Sequence, residues 1–306
     1  MKQIKIATRN SRLALWQAEF VKKELIQAHR DINVELIGMK TEGDRFLDST
    51  LSNIGGKGLF VKELEDALLR NDADIAVHSM KDVVVDLPKN LILPTIMKRE
   101  DSRDVLVSNR YKQINILPDN SIVGTSSLRR QSQLKKLCPN IVLKNLRGNV
   151  ETRIRKLDDG GFDAIVLAAA GMIRLDLGHR ISQFISDSLL LPAIGQGAIG
   201  IECRSDDSTT QEIIAPLNHK ETSLCVLAER AFSRRLNGGC QLPIAAYASV
   251  EGEEITLKGL VARLDGSEIL ESEKKGDIND PESIGISLAD LLVERGADVI
   301  LKEITK

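Results

Sequence analysis

The chain has 306 residues, enough for two or three domains, because single hydrophobic cores stop growing near about 250–300 residues. It is 42% hydrophobic and 28% charged, a globular composition, and its net charge of -2 argues against general nucleic-acid binding while leaving room for clustered cations on a small anion. Cys138, Cys203, Cys225 and Cys240 show no CxxC spacing, so neither a zinc site nor a disulfide scaffold is expected. The N-terminus, Met1-Lys-Gln-Ile-Lys-Ile6, lacks a signal peptide's apolar core and no apolar run reaches transmembrane length, so a cytosolic protein with reduced thiols is expected.

Residues 3–8 read as a first strand, followed by a helix that Ser11 caps and whose Ala14, Ala18, Val21 and Leu25 form one apolar face. Asn33 to Met39 reads as a second strand. Residues 40–58 are a long polar, glycine-bearing connection of the functional or mobile kind, and residues 42–56 are expected to form a mobile lid. Gly55-Gly-Lys57-Gly58 looks like a phosphate loop, but its lysine is not followed by Ser or Thr and the upstream glycine spacing is wrong. An amphipathic helix over Leu59 to Arg70 leads into the strand Asp74–Val77. That strand turns abruptly polar at His78, Ser79, Lys81 and Asp82. Ligands of open α/β sheets bind beyond the carboxyl ends of strands, although a solvated turn is the plain alternative for one such motif.

Residues 121–170 repeat this order: strand, helix capped by Ser127, strand, turn at Leu146-Arg147-Gly148, helix capped by Asn149, then Asp163 and an apolar run. From the capping serine to the aspartate is 63 residues in the first half (11 to 74) and 36 in the second (127 to 163). The surplus of 27 marks the 40–58 stretch as an insertion. Two such units facing one another would form a cleft. The strand Ile199 to Cys203 is expected to cross back to the first unit, with Lys98–Arg103 as the other half of a hinge. A helix over 219–235 ends at the glycine-rich loop before Cys240. An antiparallel pattern then follows with a hairpin signal at Asp265-Gly266, a last helix covers about 282–295, and an apolar run Ala297–Leu301 closes a third small unit.

Cations recur at helix starts: Arg9 and Arg12, Lys57, Arg129 and Arg130, then Arg147 and Arg153. Cations there are disfavoured by about 0.3–1 kcal/mol, so a set of them makes sense if one polyanion sits between them. Arginine forks bind carboxylates bidentately, and each charged hydrogen bond contributes about 1.5–3 kcal/mol, whereas any one arginine taken alone is more often a surface ion pair. Cys240, after Asn237-Gly-Gly239, is either a small buried hydrophobe or a thiol presented by a flexible loop.

Together the motifs Ala7-Thr-Arg-Asn-Ser11, Gly55-Gly-Lys-Gly-Leu-Phe-Val-Lys62, His78-Ser-Met-Lys-Asp82, Gly124-Thr-Ser-Ser-Leu-Arg-Arg-Gln131, Leu146-Arg-Gly-Asn149, Leu191-Pro-Ala-Ile-Gly-Gln-Gly-Ala198 and Gly238-Gly-Cys-Gln241 closely resemble those of the porphobilinogen deaminase (hydroxymethylbilane synthase) family, nearly end to end. The chain departs from the family's frequent pattern at Asn53 (often Lys) and Val84 (often Pro). The resemblance implies an α/β protein of three domains. Residues 1–98 with 198–216 and residues 103–192 would be similar α/β units like type II periplasmic binding proteins, and residues 219–306 a small α+β domain with an antiparallel sheet. It implies a dipyrromethane cofactor held by a thioether to Cys240, the substrate porphobilinogen, no metal, no nucleic-acid or membrane partner, and a monomer. Asp82 would be catalytic. Lys81, Asp82, Thr125, Ser126, Ser127, Arg129, Arg130, Arg147 and Gly148 would bind the cofactor; Arg9, Ser11, Lys57, Arg147, Arg153, Arg174 and Gln196 would bind substrate carboxylates. The competing readings are a non-enzymatic binding protein for a small polycarboxylate, which gives no reason for Asp82 or Cys240, and the effector domain of a transcription factor, for which no helix-turn-helix segment is seen.

Overall fold

The computed structural model describes residues 2–45, 60–239 and 241–304. The chain begins β1 (Lys2–Arg9), α1 (Arg12–Ala28), β2 (Ile32–Met39), α2 (Glu42–Arg45), α3 (Lys62–Leu69), β3 (Ile75–Ser79) and β4 (Leu91–Ile96). It continues with β5 (Asp104–Val107), β6 (Ile122–Gly124), α4 (Leu128–Leu137), β7 (Val142–Lys144), α5 (Val150–Asp158), β8 (Ala164–Ala168), α6 (Ala169–Arg174) and β9 (Gln183–Ile185). It ends with β10 (Ile199–Arg204), α7 (Ser208–Ile214), α8 (Lys220–Arg235), β11 (Ile244–Glu251), β12 (Glu254–Ala262), β13 (Ile269–Asp277), α9 (Pro281–Glu294) and α10 (Ala297–Ile304). The expected lid falls mostly outside the described residues; its start, Glu42–Arg45, is the short helix α2.

Among the described residues three sheets form, ordered β2-β1-β3-β10-β4, β7-β6-β8-β5-β9 and β11-β12-β13. The chain divides into two compact units, Met1–Glu100 with Ala198–Ser223 and Asp101–Gly197 with Leu224–Lys306. The first two sheets share one plan. A parallel triplet, with β1 between β2 and β3 or β6 between β7 and β8, is joined on its third strand by an antiparallel one, β10 or β5. The repeat read from the sequence has a physical basis in its punctuation. Ser11, Ser127 and Asn149 each accept from the backbone N–H three residues on, capping α1, α4 and α5. Asp74 accepts the Lys5 N–H at 2.8 Å while its own N–H reaches Lys5 O, and Asp163 does the same to Ile122 at 2.8 Å. Each aspartate pins the start of a third strand to the first.

In the first unit, alternation sorts side chains to the two sheet faces. Ile75 and Val77 of β3 join Ile199, Ile201 and Cys203 of β10 in the cluster that includes Ala18, Val21 and Leu25 of α1. Ala76 faces the other way, against Leu64, Ala67 and Leu68 of α3. In the second unit, Val105, Ile165 and Leu167 pack with Ile154 and Leu157 of α5, while Leu106, Val123 and Val166 pack with Leu134 of α4.

The C-terminal part is a small α+β body, the three-stranded antiparallel meander β11-β12-β13 under α8, α9 and α10. Its core centres on the fully buried Phe232. Gly285 lets α9 approach α8 closely: a Cβ there would collide with Ala228 O and lie 2.7 Å from Phe232 N. The apolar run at 297–301 that closes this unit is helical, the first part of α10. Gly296, at φ +97°, separates it from α9, and Ala297, Ile300 and Leu301 lie at i, i+3 and i+4, all buried. No helix among the described residues is long and apolar enough to cross a membrane.

Candidate active site

In the first unit the candidate residues sit where β1 and β3 end. β3 closes at Ser79, whose Oγ meets Gln17 Nε2 of α1 at 2.8 Å. Met80–Asp82 then makes one 3-10 turn, closed by Val83 N–H on Met80 O, and Met80 N–H extends the pairing to Ala198 O at 3.0 Å. The turn buries Met80 and leaves Lys81 and Asp82 half-buried at the carboxyl end of a central strand. Among the described residues no hydrogen bond or ion pair engages the Asp82 carboxylate. At the end of β1, the Arg9 guanidinium lies 4.4 Å from the centre of the Phe60 ring, and Ser11 Oγ accepts from Ala14 N–H. Lys57 lies outside the described residues.

The second unit gathers most of the predicted cations. The β6–α4 turn is held by its own hydroxyls: Ser126 Oγ donates to Leu146 O and accepts from Leu146 N–H, each at 3.0 Å, and Thr125 Oγ1 accepts from Ser127 N–H. This fixes the start of α4 to the loop that carries Arg147. Arg129 and Arg130 are buried, not turned outward. Arg129 Nη1 donates to Asp104 Oδ2 at 2.8 Å and to Leu191 O at 2.7 Å; Arg130 donates to Asp104 Oδ1 from Nη2 at 2.7 Å and from Nε at 3.1 Å, and from Nη1 to Val166 O. Gln196 Nε2 completes the shell on Ser102 O and Asp104 Oδ1. Burial works to raise the Asp104 pKa, but the two guanidinium charges and their hydrogen bonds hold it well below the usual carboxylate range. Asp104 is not among the candidates that the sequence pattern marks. Its signal was an acidic residue opening a short apolar run, as at Asp74 and Asp163.

Among the described residues, buried Arg129 Nε meets no acceptor and buried Gln196 Oε1 no donor. Arg174 Nη2 donates to Gly197 O, and Arg153 Nε to Gly148 O, so both brace backbone turns. Arg147 differs. Its half-buried guanidinium makes no hydrogen bond or ion pair among the described residues, and burial alone pulls its pKa below the ordinary guanidinium value. Gly148 beside it has φ +114°. A desolvated, unpaired guanidinium wants an anion. With Arg129 Nε also lacking an acceptor, the donor set fits a carboxylate-rich group such as dipyrromethane. Cys240 lies outside the described residues. Among the described residues no three His, Cys, Asp or Glu side chains converge as a metal site.

Two α/β sheets of one topology, with polar residues at strand ends and guanidinium groups at helix starts, define an α/β protein whose candidate residues lie where ligands of open α/β sheets bind. The chain belongs to the porphobilinogen deaminase family. Residues 4–212 match the family's dipyrromethane cofactor binding domain and residues 223–294 its C-terminal domain. The chain is thus of a transferase-type enzyme family of tetrapyrrole biosynthesis whose cofactor is dipyrromethane. Among solved structures, it is similar to a methionine-binding lipoprotein of Bacillus subtilis (12% identity, TM-score 0.45, 71% of this chain and 90% of that one). It is similar also to the periplasmic aliphatic sulphonate binding protein of Escherichia coli (12%, 0.43, 78% and 71%).

Proposed function

We propose that the chain is a hydroxymethylbilane synthase: a transferase that deaminates porphobilinogen, joins four molecules head to tail on a dipyrromethane primer bound through Cys240, and releases linear 1-hydroxymethylbilane and ammonia. The observation that carries the reading is the contrast between the two kinds of strand end: a carboxylate at Asp82 that no described residue engages, and a desolvated guanidinium at Arg147 that no described residue pairs. The bound primer supplies a nucleophilic pyrrole carbon. Asp82 opposes the positive charge that develops on the substrate's aminomethyl carbon as ammonia leaves, and takes up the proton released when the new carbon–carbon bond forms. Arg147, with Arg9, Ser11, Lys57, Arg153, Arg174 and Gln196, serves the acetate and propionate groups of the substrate. Lys81, Thr125, Ser126, Ser127, Arg129, Arg130 and Gly148 serve those of the primer, with Asp104 orienting the two buried arginines. On this reading residues 1–98 with 198–216, 103–192 and 219–306 are three domains of a cytoplasmic monomer.

Intact-mass measurement of the purified chain tests the tether, and product analysis with porphobilinogen tests the reaction. Added covalent mass that Cys240→Ser abolishes, together with hydroxymethylbilane formation by the unmodified sequence, is the expected result. A chain that turns over porphobilinogen at its bare polypeptide mass would remove the primer from the scheme.

A further inference from the structure

Behind the strand end that presents Asp82 lies a buried cluster that the reaction does not use. β3 and β10 run antiparallel with His78 opposite Gly200 and Ala76 opposite Glu202, so His78 and Glu202 are diagonal neighbours on one face. His78 Nε2 lies 2.9 Å from Glu202 Oε2, with side chains 3% and 0% exposed. Ala76 marks this as the face that α3 covers, and α3 contributes Glu65 to its buried side. Two carboxyl groups therefore share one dry face with one imidazole. Glu65 Oε1 and Glu202 Oε1 are both buried, and neither meets a donor among the described residues.

Two ionised carboxylates in such a place are costly, because each unmet oxygen forfeits its hydration and the charges repel. One proton answers both deficits. Placed on Glu65, it removes one of the two charges and turns an acceptor that no described residue meets into a donor on the face that Glu202 shares. Burial, then the Glu202 charge, with a smaller push from Asp66 and against the pull of His78, raises the Glu65 pKa to about 7. Glu202 comes from β10, His78 from β3 and Asp66 from α3 itself; β1, the other strand against α3, turns Ala7 to it. The cluster is coupled to the reactive turn by the backbone. His78 precedes Ser79 and the Met80–Asp82 turn, and a Cβ on Gly200, opposite His78, would collide with the Met80 sulfur.

We propose that Glu65, Glu202 and His78 act as a proton-held brace for the end of β3, with one proton shared by the two carboxyl groups, and that Glu65 and Glu202 are thereby positioning residues for Asp82. The second clause rests on the catalytic reading of Asp82; the first does not. When the proton is lost, two buried negative charges compete for one imidazole, and the strand end loosens.

The test is a carbon-13 carboxyl titration of the full chain followed by NMR, beside the pH profile of porphobilinogen turnover. One glutamate is expected to titrate near pH 7; its signal should vanish in Glu65→Gln and shift toward the ordinary carboxylate range in Glu202→Gln. The wild-type kcat should fall as pH rises through that titration. Glu65→Gln, whose amide donates without a removable proton, should be active and lack that alkaline limb. A Glu65 carboxyl titrating as an ordinary surface glutamate overturns the brace on the wild-type chain, whether or not the variants fold. An unchanged alkaline limb in active Glu65→Gln overturns the positioning role. No turnover of porphobilinogen at any pH, with the NMR titration as expected, would instead defeat the proposed reaction and leave the brace standing.

Discussion

Asp104 Oδ1 lies 2.7 Å from Arg130 Nη2, and both side chains are buried. With Arg129 on the other carboxylate oxygen, the sequence's most conspicuous cation pair is internal: one carboxylate against two guanidinium groups. Such a site carries a surplus positive charge into the protein, which an acidic ligand would relieve.

Replacing Asp104 by Asn should therefore cost far more than a surface ion pair. Removing one partner of a buried pair leaves uncompensated charge, about 3–5 kcal/mol. Urea unfolding of Asp104→Asn is expected to lose about that amount. The depressed Asp104 pKa also fixes a sign. Its stabilisation is fully present above the unfolded aspartate value and is lost as pH falls through and below the ordinary aspartate range. The variant should lose part of the wild-type decline in stability in acid. Equal stability of the two proteins at neutral pH would show that the pair contributes nothing.

Arg147 should behave in the opposite way. Nothing among the described residues depends on its guanidinium, so Arg147→Leu should leave the unfolding free energy unchanged or raise it. If it grips a carboxylate, the loss of a charged hydrogen bond worth about 1.5–3 kcal/mol should raise KM for porphobilinogen by about 10- to 100-fold. Isothermal melts beside steady-state kinetics separate the two effects. A variant that loses stability and keeps its KM would make Arg147 structural.

The architecture was legible where local chemistry dictates it. Ser11, Ser127 and Asn149 announce helix starts, and the aspartates before the apolar runs at 75 and 164 announce third strands, because each satisfies backbone groups a few residues away or on the neighbouring strand. What escaped depends on tertiary partners. Asp104 follows the charged stretch Lys98–Arg103, and only folding brings Arg129 and Arg130 to it from 25 and 26 residues away. Short strands such as β5 and β9 carry too few residues for a period to show. The five residues Ala297–Leu301 fit either period; Gly296 and the cover of the C-terminal core decide for a helix. Glu65 sat inside an amphipathic helix with nothing to mark it as buried.

Gly148 should tolerate no side chain. Its φ of +114° is strained for any L-residue, and a Cβ would stand 2.7 Å from Thr152 Cγ2. Gly148→Ala is expected to cost about 1–3 kcal/mol in denaturant melts and to raise KM by displacing Arg147. A crystal structure of the variant with the loop unmoved would contradict this.

Gly285 makes a matching case in the C-terminal core. Helices α8 and α9 meet there backbone to side, and a methyl group must push them apart. Overpacking of this kind costs about 1–3 kcal/mol. Gly285→Ala should lower the unfolding midpoint while leaving KM for porphobilinogen as it was, because no candidate binding residue lies on α9. An unchanged midpoint would mean that the helices separate freely.

Asp82 carries the sharpest expectation. Its carboxylate is held by no neighbour among the described residues, so Asp82→Asn removes a charge without breaking a structural bond, and stability should stay within about 0.5 kcal/mol of the parent. A positioned acid–base group accounts for about 10²- to 10⁴-fold in rate. The variant should therefore lose at least about 10² in kcat. Its KM should change little, since the carboxylate acts on charge that appears only as the carbon–nitrogen bond breaks. Asp82→Glu, which keeps the charge but moves it by one methylene, should recover part of the rate. Near-normal turnover in Asp82→Asn would place the chemistry on another group, and an equal loss in the Asn and Glu variants would assign Asp82 to shape and not to charge.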